Sequence, residues 1–290
     1  MSDKPVSQTA TQYTQAGDEY YSIADQQAQV EYVQVRRAAQ WVPFFVPHLR
    51  SGMRLLDCGC GVGSITLDLA EIVAPGEVVG LDLDASQLAL ARAAADTRGL
   101  TNARFEAGNV YELPFADASF DAVLAHTVLF HLSDQLRALK ELRRVLAPGG
   151  IIAVSDDHYG TWVVSPEDSA VRRMLTEIAP RVIAASGGAP FYSHNLRRLL
   201  LEAGFARTDG VAVAAEQYGT LEETRRFAAV LGRLMRSAEL TQLVGELGLA
   251  SADEFHALSD GVLAWGERPD AFAAVMYCAA LGWVDAKAGV

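Results

Sequence analysis

The segment Leu55-Leu56-Asp57-Cys58-Gly59-Cys60-Gly61-Val62-Gly63-Ser64 leaves this chain few folds to choose from. A short apolar run ends in an acid, three alternating glycines follow, and Ile65, Leu69, Ile72 and Val73 then recur at helical spacing, so a strand turns directly into a helix. Glycines let the backbone bend sharply and approach a ligand with no Cβ in the way, while a helix start offers N–H groups to an anion. A nucleotide-like ligand is expected at this turn. Tight packing alone would also favour such glycines, so the motif needs support from elsewhere in the chain.

That support comes first from the alternation of short apolar runs with amphipathic ones. Strands are expected at Arg54–Leu56, Val78–Asp82, Ala103–Ala107, Phe120–Ala125 and Ile151–Asp156. Between them, Leu88-Ala91-Ala95 and Leu136-Leu139-Leu142-Leu146 form helical stripes, with a capping box at Asp84 and Gln87 and a stop at Pro148-Gly149-Gly150. The pattern is that of a mostly parallel sheet covered by helices, an α/β sandwich. Upstream, Ala24 to His48 reads as two short helices meeting near Pro43. Downstream, a helix from about Asn195 to Glu202, a strand near Val211–Glu216, a helical stretch from Leu221 to Trp265 and an apolar run Phe272–Val284 complete the chain. The expected organisation is a disordered tail over residues 1–17 and one domain over 18–290. Within that domain, 18–50 are N-terminal helices, 51–156 a cofactor-binding core, 157–195 a substrate-side insertion and 221–268 a helical lid.

Two further features stand where a nucleoside would need them. Asp82 ends the second strand about 25 residues after Asp57, where its carboxylate can accept both hydrogens of a ribose diol. Asn109 follows the third strand with a small polar side chain suited to an adenine edge. The glycines fit G-x-G-x-G at 59, 61 and 63; a dinucleotide fingerprint would place its third glycine at Ser64. NAD is therefore disfavoured.

Here the sequence resembles the class I S-adenosylmethionine-dependent methyltransferases, within them the small-molecule group of ubiquinone/menaquinone-pathway type (methyltransferase type 11-like). The resemblance runs from about Trp41 to Asp156 and rests on five ordered segments: Asp57 to Gly63; Gly80-Leu-Asp82; Gly108-Asn109 with Leu113 to Asp121; His131-Leu; and Arg144 to Gly150. It implies an α/β fold with a Rossmann-like, doubly wound, mostly parallel seven-stranded sheet, N-terminal helices and a helical lid insertion, and S-adenosylmethionine as cofactor, leaving S-adenosylhomocysteine. It implies that Asp57 and the backbone of Gly59, Cys60 and Gly61 hold the methionine end. Asp82 would bind the ribose, with Leu83 beside the adenine, Gln87 among the cofactor-binding residues, and Asn109 with the Val110 N–H reading the base. Aspartate is usual where Asn109 stands. Ala125 and His126 would lie near the sulfonium, and Tyr20 or Tyr21, with Tyr21 preferred, would cap the cofactor.

Methyl transfer needs alignment and the exclusion of water, and a base only when the acceptor must lose a proton. His131 and His126, at the fourth strand's exit, are the candidate bases; His131 has an equally weighted reading as a structural histidine. His158, Trp162, Tyr192 and His194 are the candidate acceptor-binding residues, in a stretch of mixed aromatic and polar character. Trp265 is a candidate wall, with core packing as good an account of it.

Composition narrows the acceptor. A net charge of −12, with three lysines at positions 4, 140 and 287, disfavours nucleic acid and anionic membranes and cannot furnish the lysine-containing tetrad of RNA 2′-O enzymes. Ala125-His126-Thr127-Val128 replaces the Asn/Asp-Pro-Pro-aromatic motif of amide and nucleobase methylation. The three cysteines form neither a disulfide framework nor a metal site. No signal pattern or apolar span stands out, so a cytoplasmic, metal-free enzyme acting on a small, partly apolar metabolite at O, N or C is expected, with a homodimer left open. The rival readings are a nucleoside-binding regulatory or scaffold protein without turnover and, less favoured, an NAD-dependent oxidoreductase.

Overall fold

The computed structural model describes residue 30 and residues 33–167 and 169–286. Tyr20, Tyr21 and the expected 1–17 tail lie outside the described residues. Of the expected N-terminal helices, the described part contains α1 (Ala38–Trp41) and a 3-10 turn (Val46–His48), on either side of Pro43.

Four parallel pairings build the core: β1 (Leu55–Cys58) lies between β2 (Val78–Asp82) and β4 (Phe120–His126), β3 (Ala103–Ala107) flanks β2, and β5 (Leu146–Asp157) flanks β4. The connecting helices are α2 (Ser64–Val73), α3 (Ala85–Arg98) and α4 (Gln135–Arg144). Beyond β5, the long last strand β8 (Phe272–Trp283) runs antiparallel and carries β7 (Arg207–Tyr218) on its far side. A short strand β6 (Val163–Ser165) pairs with the start of β8, so the described sheet has eight strands where seven were expected. β1 and β2 are buried along their whole length, which is why they read as continuous apolar runs.

Three local expectations are corrected. The first strand continues through Asp57 and Cys58, because both pair with Gly80 and Leu81 of β2. Leu146 belongs to β5 and pairs with Phe120; α4 has already ended at Arg144, so Pro148-Gly149-Gly150 does not stop it. Asp84 does cap α3, but through Ser86 N–H, while its own N–H donates to Asp82 at 3.0 Å in place of the capping-box bond.

Two apolar layers enclose the sheet. Trp41 of α1 with Ile65, Leu69 and Val73 of α2 cover one face; Leu139 and Leu142 of α4 with Leu196 and Leu200 of α7 (Leu196–Glu202) cover the other. A third layer is separate. α5 (Ala170–Arg173), a π-helical turn (Met174–Ile178) and α6 (Ala179–Ala185) pack with α8 (Leu221–Leu234), α9 (Ala238–Glu246) and α10 (Ala252–Gly266) around Met174, Phe227, Phe255 and Trp265. Part of the expected insertion and the expected lid thus share one small core, each covering apolar surface of the other. Fully burying one such side chain is worth about 1.5–3 kcal/mol. Trp265 is 2% exposed there and donates its indole N–H to the Ser165 carbonyl, so it holds the helical layer to β6.

Candidate functional site

The glycine turn is closed by its own hydrogen bonds. The N–H groups of Gly59 and Cys60 both donate to the Leu81 carbonyl, at 2.7 and 3.1 Å, and the Gly61 N–H donates to Asp82 Oδ2 at 2.8 Å. These amides therefore fasten β1's exit to β2, and the Cys60 carbonyl accepts the Gly63 N–H at 2.9 Å to close the turn. Gly59 and Gly61 have φ of +78° and +52°, and added Cβ atoms would overlap the Val128 side chain and lie 2.9 Å from Gln87 Oε1, respectively. Close approach is thus required here as well as a bend.

Asp57 is buried, and its Oδ2 accepts the Thr66 hydroxyl of α2 at 2.6 Å. Burial is the main reason that its carboxyl rises to about 7, with Asp82 adding repulsion and the Thr66 bond opposing. Asp82 is also raised by burial, against backbone N–H donors from Asp84, Gly61 and Leu83. A carboxylate has about four acceptor positions, so Asp82 keeps room for a ribose hydroxyl, but not for an undisturbed pair of them. Gln87 is buried beside the turn and Leu83 is half-buried at its rim. At β3's exit the Asn109 side-chain oxygen accepts the Tyr111 N–H at 2.9 Å, a turn that its carbonyl builds for itself; Val110 is buried.

The exits of β4 and β5 differ from this closed turn. His126, next to the fully buried Ala125, stacks on Tyr277 at 5.6 Å and meets Trp41 edge-on at 5.6 Å, yet neither ring nitrogen has a hydrogen-bond partner among the described residues. Burial first, then the Arg36 charge, holds this imidazole well below its ordinary value, so it is neutral. Thr127 adopts a φ of +59°, costly for a β-branched residue, and is held there by its N–H on the Ser155 carbonyl and by Arg36, which donates to its hydroxyl at 3.1 Å. The Arg36 guanidinium also lies 4.2 Å above the Trp41 ring. Ser155 Oγ and Asp157 Oδ1 are buried on the same face without hydrogen-bond partners among the described residues. Asp157 is pushed up to about 7 by burial, with Arg36 opposing. A bulge in β7 between Val213 and Glu216 precedes a buried Glu216 that accepts the hydroxyls of Tyr218 at 2.8 Å and Tyr277 at 3.3 Å.

The other named residues separate. His131 lies in the 3-10 turn Leu129–His131, its imidazole lowered to about 4 by burial. His158 and His194 are neighbours, 5.3 Å between rings, with Phe191 beside His158. Tyr192 instead donates its hydroxyl to Asp156 on the α4 and α7 face. Trp162 lies between the α1 face and the helical layer, stacked on Phe227, with no hydrogen-bond partner for its indole nitrogen among the described residues. The four expected acceptor-binding residues therefore do not form one wall. Sequence reading passed over Arg36, Ser155, Asp157, Glu216 and Tyr277. The run Ser155-Asp156-Asp157 at a strand exit was a usable signal; the other three become neighbours only through β7, β8 and the segment before α1.

Comparison with known proteins agrees with this architecture. A family described as a methyltransferase domain matches residues 49–189. The probable methyltransferase ltbC of Aspergillus luteorubrus is 32% identical over 274 residues, covering 88% of this chain and 93% of that protein. A demethylmenaquinone methyltransferase of Lactococcus lactis is 40% identical over 110 residues, 37% of this chain and 44% of that protein. The YcgJ protein of Bacillus subtilis shares the fold, with a TM-score of 0.55 at 21% identity over 84% of this chain and 97% of that one.

Proposed function

Since the chain belongs to the class I methyltransferase family and is an S-adenosylmethionine-dependent methyltransferase of small molecules, we propose that the exits of β1 to β3 hold the cofactor and those of β4 and β5 present the acceptor for in-line transfer. The cofactor supplies an electrophilic methyl group on a cationic sulfur. The residues fit it: Gly59 and Gly61 hold the turn at positive φ without side chains, and Asp82 retains acceptor capacity at its rim. In this reading Asp57 and the backbone of the Gly59-Cys60-Gly61 turn bind the methionine end, Asp82 the ribose, and Leu83, Gln87, Asn109 and Val110 surround the adenine. Ala125 and His126 meet the transferring end, and Tyr21 is kept as a cap. The observation that carries the reading is the Gly61–Asp82 hydrogen bond, which ties the exits of β1 and β2 together.

On the acceptor side, His126, Trp162, His158 and His194 supply polar and aromatic surface, and Tyr192 braces the β5 exit through Asp156. His126 and His131 are both neutral near pH 7 and thus open to a proton, but their lowered values make them weak bases. Among the described residues no helix is long and apolar enough to cross a membrane.

Thermal unfolding with S-adenosylhomocysteine, S-adenosylmethionine or NADH tests the cofactor assignment. A ligand at about 100 times its Kd adds roughly 2.7 kcal/mol, a shift of several degrees. Shifts with the first two alone support the reading; a shift with NADH alone sinks it.

A further inference from the structure

Thr127 is the first residue beyond β4, and its φ of +59° places a β-branched side chain in the left-handed region, where such residues are strained. In the turn after β1 the chain meets the same backbone demand with glycines, at positions 59, 61 and 63. Glycine would adopt this conformation at position 127 without strain, so a threonine there has to gain something through its side chain. The gain is a hydrogen bond from another part of the chain: Arg36 Nη1 donates to Thr127 Oγ1 at 3.1 Å.

The left-handed turn has two neighbours. The Thr127 N–H donates to the Ser155 carbonyl at 2.8 Å, and the next residue, Val128, packs against the glycine turn, where a Cβ added to Gly59 would overlap Val128 Cγ2. Val128 therefore touches the very backbone whose amides, those of Gly59 and Cys60, are fastened to Leu81. Arg36 is itself firmly seated. It is 6% exposed, its guanidinium lies 4.2 Å above the Trp41 ring, and its backbone N–H donates to the Val33 carbonyl at 3.1 Å. The same Val33 carbonyl accepts the Ser64 hydroxyl at 2.9 Å, and Ser64 opens α2 directly behind Gly63. The turn over residues 33–36 thus reaches the start of α2 with a carbonyl and the exit of β4 with a guanidinium. It ties together the two sides between which the glycine turn lies.

We infer that Arg36 is a positioning residue for the methyl donor: by holding Thr127 in its left-handed conformation it keeps Val128 against Gly59, and so sets the shape of the cofactor turn before the ligand arrives. The inference rests on the placement of the cofactor at the exits of β1 to β3, and goes beyond it in giving a role in binding to a residue outside those exits. Without the Arg36 bond, Thr127 relaxes toward an ordinary φ and Val128 is no longer held on Gly59. Binding then has to rebuild the strained turn, which weakens it, because a preorganised site loses less on association.

The test is calorimetric titration of the whole chain and four variants with S-adenosylhomocysteine. Arg36→Met and Thr127→Val remove the hydrogen bond from either end, and each should bind about tenfold or more weakly than the wild type. Thr127→Gly also lacks the bond but takes a positive φ without strain, so it should bind at least about fivefold tighter than Thr127→Val. Adding Arg36→Met to Thr127→Gly should weaken binding by less than about twofold further, because the two residues act through one contact. Urea unfolding separates this from a general structural role. Arg36→Met takes a charge from beside Asp157 and a cation from Trp41, so it should lower stability in both backgrounds, whereas its affinity loss should appear only with threonine at position 127. Should Arg36→Met fail to fold, the comparison of Thr127→Val with Thr127→Gly decides by itself. Wild-type affinity in Thr127→Val, equal affinities in the valine and glycine variants, or an undiminished effect of Arg36→Met on the glycine background overturns the inference and leaves the cofactor assignment standing. Absence of S-adenosylhomocysteine binding by the wild type overturns both.

Discussion

The β1–β3 exits and the β4–β5 exits lie on one sheet, yet they treat their polar groups in opposite ways. At the first, the amides of Gly59, Cys60 and Gly61 all reach internal acceptors, and Asp57, Asp82 and Asn109 each accept a bond from the chain itself. At the second, His126, Ser155 and Asp157 are as deeply buried but have atoms with no hydrogen-bond partner among the described residues. A site that always meets the same ligand can be prebuilt from backbone, whereas unmet side-chain demand suits a site whose ligand completes it.

Substitutions can break or sharpen this contrast, the largest effect being expected in the closed turn. Gly59→Ala combines a positive φ with overlap on Val128 and should cost about 3 kcal/mol of stability together with cofactor binding. Gly52→Ala, with φ +89° and nothing within 4 Å, should cost about 1 kcal/mol. Urea unfolding compares the two; equal losses would mean that the turn is not sterically closed. Next, Asp82→Ala should weaken S-adenosylhomocysteine by about 1.5–3 kcal/mol in a calorimetric titration. It removes the Gly61 and Asp84 anchors as well as a ribose acceptor. Unchanged affinity would take Asp82 out of the site.

pH gives a smaller effect with a definite sign. Between about 4 and 7 the folded, ligand-free chain holds a proton on Asp57 that the unfolded chain has released, so this carboxyl's stabilising contribution is complete at acid pH and is lost as pH rises through about 7. A cationic amino group beside Asp57 favours the ionised form. S-adenosylhomocysteine affinity should therefore rise by up to about tenfold per pH unit below about 7 and level off above it. A flat profile from about pH 5.5 to 7.5 would move the methionine end away from Asp57. The smallest effect belongs to the open region: Ser155→Ala removes an unpartnered hydroxyl at 0% exposure and should stabilise the ligand-free protein by about 1 kcal/mol in urea unfolding. A loss of stability there would show that Ser155 already has a partner in solution.

The closed region was legible because its physics is local. A strand ending in an acid, a turn that only glycine can make and a helix behind it occupy ten consecutive residues, and β2 and β3 repeat the logic at predictable intervals. Asn109 was legible as a position but not as a geometry, since its carbonyl turns back on Tyr111. The open region was mostly illegible. Arg36, Ser155, Asp157, Glu216 and Tyr277 are distant in sequence, and Glu216 precedes Tyr218 on a bulged strand that no local pattern announced. The 157–195 stretch looked like one pocket wall because its residue types were right, but the β5 exit sends Tyr192 to one face and Trp162 to the other.

From its sequence alone this chain was committed to the strand–turn–helix repeat and to the glycine turn, because hydrophobic period and backbone sterics act over neighbouring residues, while the methyl donor was implied by the resemblance of five ordered segments to a known family. Only the tertiary structure decided that the insertion and the lid share a core, that β8 brings Tyr277 against His126, and that Asp157 is buried beside Arg36 with an oxygen left unmet. Those outcomes depend on desolvation and on contacts between residues up to some 150 positions apart, and neither quantity is written in any short stretch of the chain.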